Sequence, residues 1–516
     1  MKRDLQALTK QVFDLLVIGG GIFGCGIARD AALRGMSVAL VEKSDFGGGT
    51  TSASSRLIHG GLRYLALGDF ALVREALKER QILLHLAPNR ITMLPFLVPL
   101  YRSDPFSWRL IAPLGVTLYR WLAHENTWAL PNRWSPEKIL RHEPLLRFDG
   151  LLSGWSYLDA QEPFPERLCL DNLLDAVRHG AQVANYAKVT NLLLSGEQVI
   201  GAVVQDLLAD ETFEIRARCV VNAAGAWVDD LVKLAKPKAP SRVRRTKGIH
   251  LLVPAFVNHA FTLRAPQDGR IFFVLPWNGF SLIGTTDTDC DEPLDKLTVS
   301  DADVDYLVAA TRHYFPDAPL DNFLFTFVGV RSLVRVEGKM PSSVSRRHLI
   351  VDHAKEGLKG LISVVGGKMT TYRRIAQEVV DMVCQQLGKF APCVTHHRAF
   401  VDDHEELLRR VRHQAQTIGW DEPTIKRLVT IYGQSSEAIV KRARQNASLQ
   451  LRLDEKLPKS FVAEVIHAVE AEMAVTVDDL MFRRTMLGFD PQVREAAIRV
   501  LANLPIGLKP FTLRDR

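Results

Sequence analysis

The chain has 516 residues, more than a single hydrophobic core usually supports, so two large lobes or a lobe with an appendage are expected. With 47% hydrophobic and 24% charged residues, 8 Trp, 24 Phe and no low-complexity block, the composition excludes a disordered protein. The formal charge of +7 suits an acidic membrane surface, a nucleic acid or a phosphorylated small substrate equally, and does not choose among them.

The opening "MKRDLQALTKQVFDLLVIGGG" has a short basic start but no sustained apolar core, because Asp14 and the glycines interrupt it, so export is not expected and a cytoplasmic location is. No window reaches the roughly 18 uncharged apolar residues that a spanning helix needs. The six cysteines (Cys25, Cys169, Cys219, Cys290, Cys384, Cys393) are scattered without a CxxC, so neither a disulfide framework nor a metal site is expected.

"FDLLVIGG", residues 13–20, is an apolar run rich in branched residues and bounded by glycine, the pattern of a buried parallel strand. Gly19, Gly21 and Gly24 then form GxGxxG: the first for a tight turn, the second for approach of a diphosphate to the backbone, the third for close packing of the helix "CGIARDAALRG". A second strand, "SVALVEK", ends in Glu42 at the spacing where a carboxylate receives the hydroxyls of an adenosine ribose. An acid there disfavours the 2′-phosphate of NADP and leaves FAD or NAD. The continuation "FGGGTTSASSRLIHGGLRYL" crowds hydroxyls and glycines directly after the acid, with Thr50, Ser54 and Ser55 as candidate contacts, and this favours FAD.

Further along, residues 93–128 are apolar and aromatic with Arg102, Arg109 and Arg120 among them. They read either as a buried pair of cap helices or as a surface resting on lipid headgroups, with Trp108, Tyr119 and Trp121 at the boundary. "RCVVNAAGAWVDDL" (218–231) reads as strand, small-residue turn at Gly225 and helix, returning the chain to the cofactor sheet. "LISVVGGKMTTYRRIAQEVVDMV" (361–383) gives a strand, a turn at Gly366 and Gly367, then Lys368, Met369 and Thr370 at the start of a helix whose free N–H groups suit a developing negative charge. Beyond about residue 395 helical periodicity takes over, with Gly419, Gly433 and Gly488 as helix stops and basic faces at "LLRRVRH" and "KRARQ".

These stretches resemble the FAD-dependent, respiratory, quinone-linked glycerol-3-phosphate dehydrogenases and their oxidase relatives. The resemblance runs from about residue 13 to the end through "VIGGGIFGCGIARDAALRGMSVALVEK", "SSRLIHGGLRYL", "VVNAAGAWV", "KGIHLLVP", "RIFFVLPWNGFSLIGTTDTD", "GVRSLV", "SRRHLI", "GGKMTTYR" and "FRRTMLG". It implies an α/β fold: a Rossmann-like FAD-binding lobe (about 13–90, 155–240 and 345–390) interleaved with a substrate cap containing a mostly antiparallel sheet (about 91–154 and 241–344). An all-α C-terminal domain over 395–516 follows. It also implies oxidation of sn-glycerol 3-phosphate to dihydroxyacetone phosphate, with electrons passed to membrane quinone from a protein peripherally bound to the inner face of an acidic cytoplasmic membrane; a homodimer stays open.

A dianionic phosphate calls for several cations, ideally arginine forks. The resemblance places Arg331 at the substrate, with Arg346 and Lys368 as further candidates, while Arg63 and Tyr64 lie about one helical turn from His59. Removal of a hydride from C2 requires a base for the hydroxyl proton, and His59 and His250 both lie in matching motifs, with the base unassigned between them. Two departures bear on substrate identity: Ser332 stands where the family usually has proline, and "YLDAQEPFPERL" (157–168) replaces a more acidic segment. An oxygen-reducing oxidase of the same fold is the closest alternative, then an FAD amine or amino-acid oxidase. No aromatic-basic module supports a nucleic-acid partner.

Overall fold

The computed structural model describes residues 1–66, 68–123, 133–336, 347–504 and 507–509. Strand β1 (Val12–Ile18) is buried along its last four residues, enters α1 (Ile22–Leu33) through Gly19–Gly21, and lies parallel to β2 (Val38–Val41). Apolar surface on both faces of β1 explains the near-continuous hydrophobic run, since helices must cover a parallel sheet from both sides. One face packs Leu15 and Val17 with Ile27 and Ala31 of α1 and with Ile375 and Val379; the other packs Leu16 and Ile18 with Val204, Leu231 and Val232. Each such side chain contributes roughly 1.5–3 kcal/mol on burial.

The apolar segment after residue 92 is not a helix pair: Thr92–Tyr101 is a strand, and α2 (Phe106–Leu122) follows it. The chain then returns through β3 (Glu211–Asn222), which lies parallel to β1 on the side away from β2. It crosses into the other half as β4 (Val243–Pro254) and β5 (Phe325–Val334), paired antiparallel to each other. It closes the cofactor sheet with β6 (Leu361–Gly366), parallel to β3, and α3 (Tyr372–Leu387).

The described strands form two sheets. The first has eight strands around the parallel set β6–β3–β1–β2–Gln182–Ala184, with His348–Asp352 antiparallel at the edge. The second has ten and is antiparallel except where Ala260–Arg264 runs parallel to Thr92–Tyr101. Two pieces of the stretches expected in the flavin lobe, Leu57–Ile58 and most of Leu151–Gln161, belong to this second sheet, because they pair with each other and with Thr92–Tyr101.

Residues 404–501 are helical, with Asp403, Asp421 and Asp490 each capping a helix by accepting backbone N–H groups of its first turn. Gly433 directly follows a helix end and Gly419 lies just past another, whereas Gly488 sits in a loop between the π-helical turn Leu480–Arg484 and the helix Pro491–Leu501. This region shares its core with the second sheet: Phe489 lies edge-on to Trp277 at 4.9 Å and near Phe327 at 5.5 Å.

Candidate active site

Why the crossover from β1 must be glycine is visible in its contacts. A Cβ on Gly19, whose φ is +112°, would stand 2.6 Å from the Ala223 carbonyl oxygen, and one on Gly24 would stand 1.9 Å from that of Gly19. At Gly21 a Cβ would meet only the Thr51 hydroxyl at 3.6 Å, so this residue faces open space. Gly19 and Gly21 line a cleft of about 860 Å³, while Gly24 does not; its part is to let α1 close on the strand.

Glu42 lies at the end of β2 on the cleft wall. Its carboxylate accepts hydrogen bonds from the Gly20 amide at 2.6 Å and from the Ser44 amide and hydroxyl at 2.8 Å, which fixes its oxygens as acceptors beside the glycine turn. Lys43, bonded to Asp295 at 2.6 Å and seated 4.0 Å above the Trp227 ring, closes this end of the cleft. Gly225 lines the same end at φ +56°. Thr50, Ser54 and Ser55 lie along the middle; the Thr50 hydroxyl donates to the Val330 carbonyl and the Ser54 oxygen accepts the Arg56 amide.

At the far end β6 delivers Gly366 and Gly367, both at positive φ, followed by Lys368, Met369 and Thr370 ahead of α3, all on the cleft. The Lys368 ammonium donates to the carbonyls of His59 (3.2 Å) and Gly60 (3.0 Å) and lies 5.1 Å from the centre of the Tyr64 ring. His59 reaches the cleft with its ring edge-on to Phe273. The loop carrying it is braced from behind. The Gly60 amide donates to the Tyr119 hydroxyl at 2.8 Å, which donates to Asp159, and burial pushes that carboxyl up to about 6 against the pull of Arg80.

His250, on β4, is buried on the cleft wall. Its Nε2 shares a 2.9 Å hydrogen bond with the Ser55 hydroxyl, its ring lies against Gly284, and its Nδ1 is buried without a hydrogen-bond partner. Burial, then the charges of Arg331 and Arg56, lower it to about 3, so the ring is neutral at physiological pH. Arg331, on β5 opposite Thr246, lies against Gly248, where a Cβ would stand 2.5 Å from its Nη2. It donates to Asp287 Oδ1 (3.0 Å), the Thr285 hydroxyl (2.7 Å) and the Thr286 carbonyl (3.1 Å).

The structure therefore gathers Gly19, Gly21, Glu42, Thr50, Ser54, Ser55, His59, Tyr64, Gly225, His250, Arg331, Gly366, Gly367, Lys368, Met369 and Thr370 on one cleft. Arg346 and the side chain of Arg63 lie outside the described residues. The sequence reading missed Arg270, which lines the cleft and donates to the Asp287 carbonyl at 2.7 Å, although it opens the quoted stretch "RIFFVLPW". It also missed Arg56, wholly buried, which forks onto Glu166 at 2.9 and 3.0 Å. That pair settles part of the 157–168 departure: Glu166 balances Arg56, Glu162 balances Arg90, and only Tyr157 of the segment reaches the cleft. Ser332 does line it. Among the described residues no group of three or more His, Cys, Asp or Glu side chains is placed to hold a metal ion.

Residues 14–373 match the model of the FAD dependent oxidoreductase family, and residues 393–505 match that of the C-terminal domain of alpha-glycerophosphate oxidase. A glycerol-3-phosphate dehydrogenase of Synechocystis is 37% identical over 94% of this chain and 90% of its own length, and an aerobic glycerol-3-phosphate dehydrogenase of Staphylococcus haemolyticus is 34% identical over 98% and 92%. The chain belongs to the FAD-dependent glycerol-3-phosphate dehydrogenase family. The fold agrees: the glycerol-3-phosphate dehydrogenase of Bacillus halodurans complexed with FAD superposes with a TM-score of 0.76 at 30% identity, covering 96% of this chain and 91% of that one. Glycine oxidase from Geobacillus kaustophilus, at 20% identity and TM-score 0.57, shares the fold alone.

FAD is accordingly the cofactor, and the cleft fits it. Glu42 would hold the ribose hydroxyls on its carboxylate, Gly21 and the N-terminus of α1 would take the diphosphate, and the cleft-lining residues between Thr50 and Ser55 and from Gly366 to Thr370 would flank the remainder.

Proposed function

We propose that this enzyme oxidises sn-glycerol 3-phosphate at C2 to dihydroxyacetone phosphate. Bound FAD supplies the acceptor for the hydride leaving C2. The observation that carries the reading is that Arg331, Arg270 and Lys368 line one cleft, the two arginines joined through Asp287, and that its wall also holds a neutral, buried His250. The two guanidinium groups suit a phosphate dianion, and their shared partner Asp287 fixes their orientation before substrate arrives. His250 takes the C2 hydroxyl proton. Burial is the main cause of its low pKa and the field of Arg331 the second; a bound dianion offsets the second. Lys368 holds positive charge where negative charge grows during hydride transfer.

Electrons then pass to a membrane quinone. Supporting this, α2 buries Ala112, Val116 and Tyr119 but exposes Phe106, Leu110, Ile111, Leu114 and Trp121, while Trp108, Ile111, Ala112 and Gly115 line the cleft. An exposed apolar face beside the cleft, with Arg102, Arg109 and Arg120 near it, suits peripheral attachment to an acidic lipid surface at the cytoplasmic face. Among the described residues no helix is long and apolar enough to cross a membrane. Of the aromatic residues expected at the lipid boundary only Trp121 is exposed: Tyr119 braces Gly60, and Trp108 is half-buried on the cleft. Oxygen is the competing acceptor, favoured by the match of residues 393–505 to an oxidase domain.

Anaerobic bleaching of the flavoprotein with glycerol 3-phosphate, glycerol and amino acids tests the substrate: bleaching by glycerol 3-phosphate alone is expected, and bleaching by amino acids instead overturns the reading. Turnover with a quinone analogue far exceeding peroxide production in air is expected for the acceptor.

A further inference from the structure

The motif "FRRTMLG" takes no part in the chemistry above, yet its two arginines end beside the cofactor loop. Arg483 and Arg484 lie in the π-helical turn Leu480–Arg484, a rare conformation often found at functional positions. Both reach the carboxylate of Asp45, which is wholly buried and lies three residues after Glu42. Arg483 Nε donates to it at 2.6 Å, and Arg484 donates through both Nη atoms at 2.8 Å; the Asn185 amide adds a fourth donor at 3.0 Å. Arg484 is itself fixed by the Glu472 carbonyl.

The loop so held is the one that shapes the adenosine end of the cleft. The Asp45 carbonyl accepts from the Gly48 amide, the Ser44 hydroxyl donates to Glu42 at 2.8 Å, and the Gly47 amide donates to the Gly20 carbonyl within the glycine turn. Among the described residues, nothing within the loop itself balances the Asp45 charge, and the charged donors come from 438 and 439 residues away.

We infer that Arg483 and Arg484 are positioning residues for FAD, through which the C-terminal domain holds the Asp45 loop so that Glu42 and the glycine turn keep the geometry that grips the adenosine diphosphate half. The inference stands on FAD as cofactor and is independent of the substrate and of the electron acceptor. Asp45→Asn and Arg483→Lys test it, read by titrating FAD into the flavin-free protein and by competing ADP against FAD. At least a tenfold weakening of FAD is expected, with ADP weakened by the same factor because the damage lies at that half, and with the circular dichroism spectrum unchanged. FAD affinity within twofold of the parent in either folded variant overturns the inference. So does a loss of FAD affinity with ADP affinity unchanged. Should Asp45→Asn not fold, Arg483→Lys, which keeps the charge at the edge of the cluster, gives the answer alone.

Discussion

Arg331 donates to Asp287, Thr285 and Thr286, which lie on one loop, and this anchoring makes it a fork presented in a fixed direction rather than a mobile surface charge. Replacing it with alanine should leave FAD bound and raise KM for glycerol 3-phosphate by a factor corresponding to about 1.5–3 kcal/mol, measurable by steady-state kinetics. His250 behaves differently because its environment disfavours charge. Its folded pKa of about 3 lies below the usual value of 6.5, so the stability tied to its neutral ring is complete above pH 6.5 and drains away as pH falls toward 3. The thermal midpoint of His250→Asn should therefore change less between pH 7 and pH 4.5 than that of the parent, and its kcat should fall by roughly 10²–10⁴-fold with FAD retained. His59→Asn should keep more turnover than His250→Asn. Gly24→Ala places a methyl 1.9 Å from a backbone oxygen that no rotamer change can move, so loss of FAD and of soluble yield is expected.

Helix α2 presents two unlike faces. Its buried side includes Tyr119, whose hydroxyl joins the Gly60 amide to Asp159, while its outer side is apolar and bare. A helix that merely covered a core would not expose Leu114 and Trp121 at more than 60%. Leu114→Asp should reduce sedimentation with anionic vesicles several-fold, while turnover with a water-soluble acceptor falls far less; unchanged vesicle binding would remove α2 from the docking surface. Zwitterionic vesicles should bind more weakly than anionic ones if the neighbouring arginines contribute.

At the scale of the molecule, the helical C-terminal domain is joined to the cofactor lobe by buried charge as well as by apolar packing. Arg167 forks onto Glu472 at 2.7 and 2.8 Å, both fully buried. Burial alone would raise the Glu472 carboxyl, but the Arg167 guanidinium and His467 hold it far below the ordinary carboxylate range. Stability from this pair is thus complete above about pH 4.5 and is lost only as pH falls well below it. Glu472→Gln leaves Arg167 buried without its counter-charge, and a loss of about 3–5 kcal/mol in denaturant unfolding is expected. An isosteric apolar replacement of both partners should cost less, since neither charge is then stranded.

The cofactor half was legible in the sequence because its chemistry is local. Gly19, Gly21, Gly24 and Glu42 are spaced by the length of one strand, one turn and one helix, and that spacing alone dictates where backbone and carboxylate must lie. Lys368 was legible for the same reason, in a glycine turn ahead of a helix. Arg270 and Arg56 were not, because an arginine opening an apolar strand looks the same whether it faces solvent or a cleft. Only the pairing of Gly284 with His250 and of Thr246 with Arg331 brings β4, β5 and the Asp287 loop around one space. The partner of "FRRTMLG" depended wholly on tertiary structure: the motif shows two adjacent charges, and only folding across more than 400 residues brings the buried Asp45 carboxylate to them.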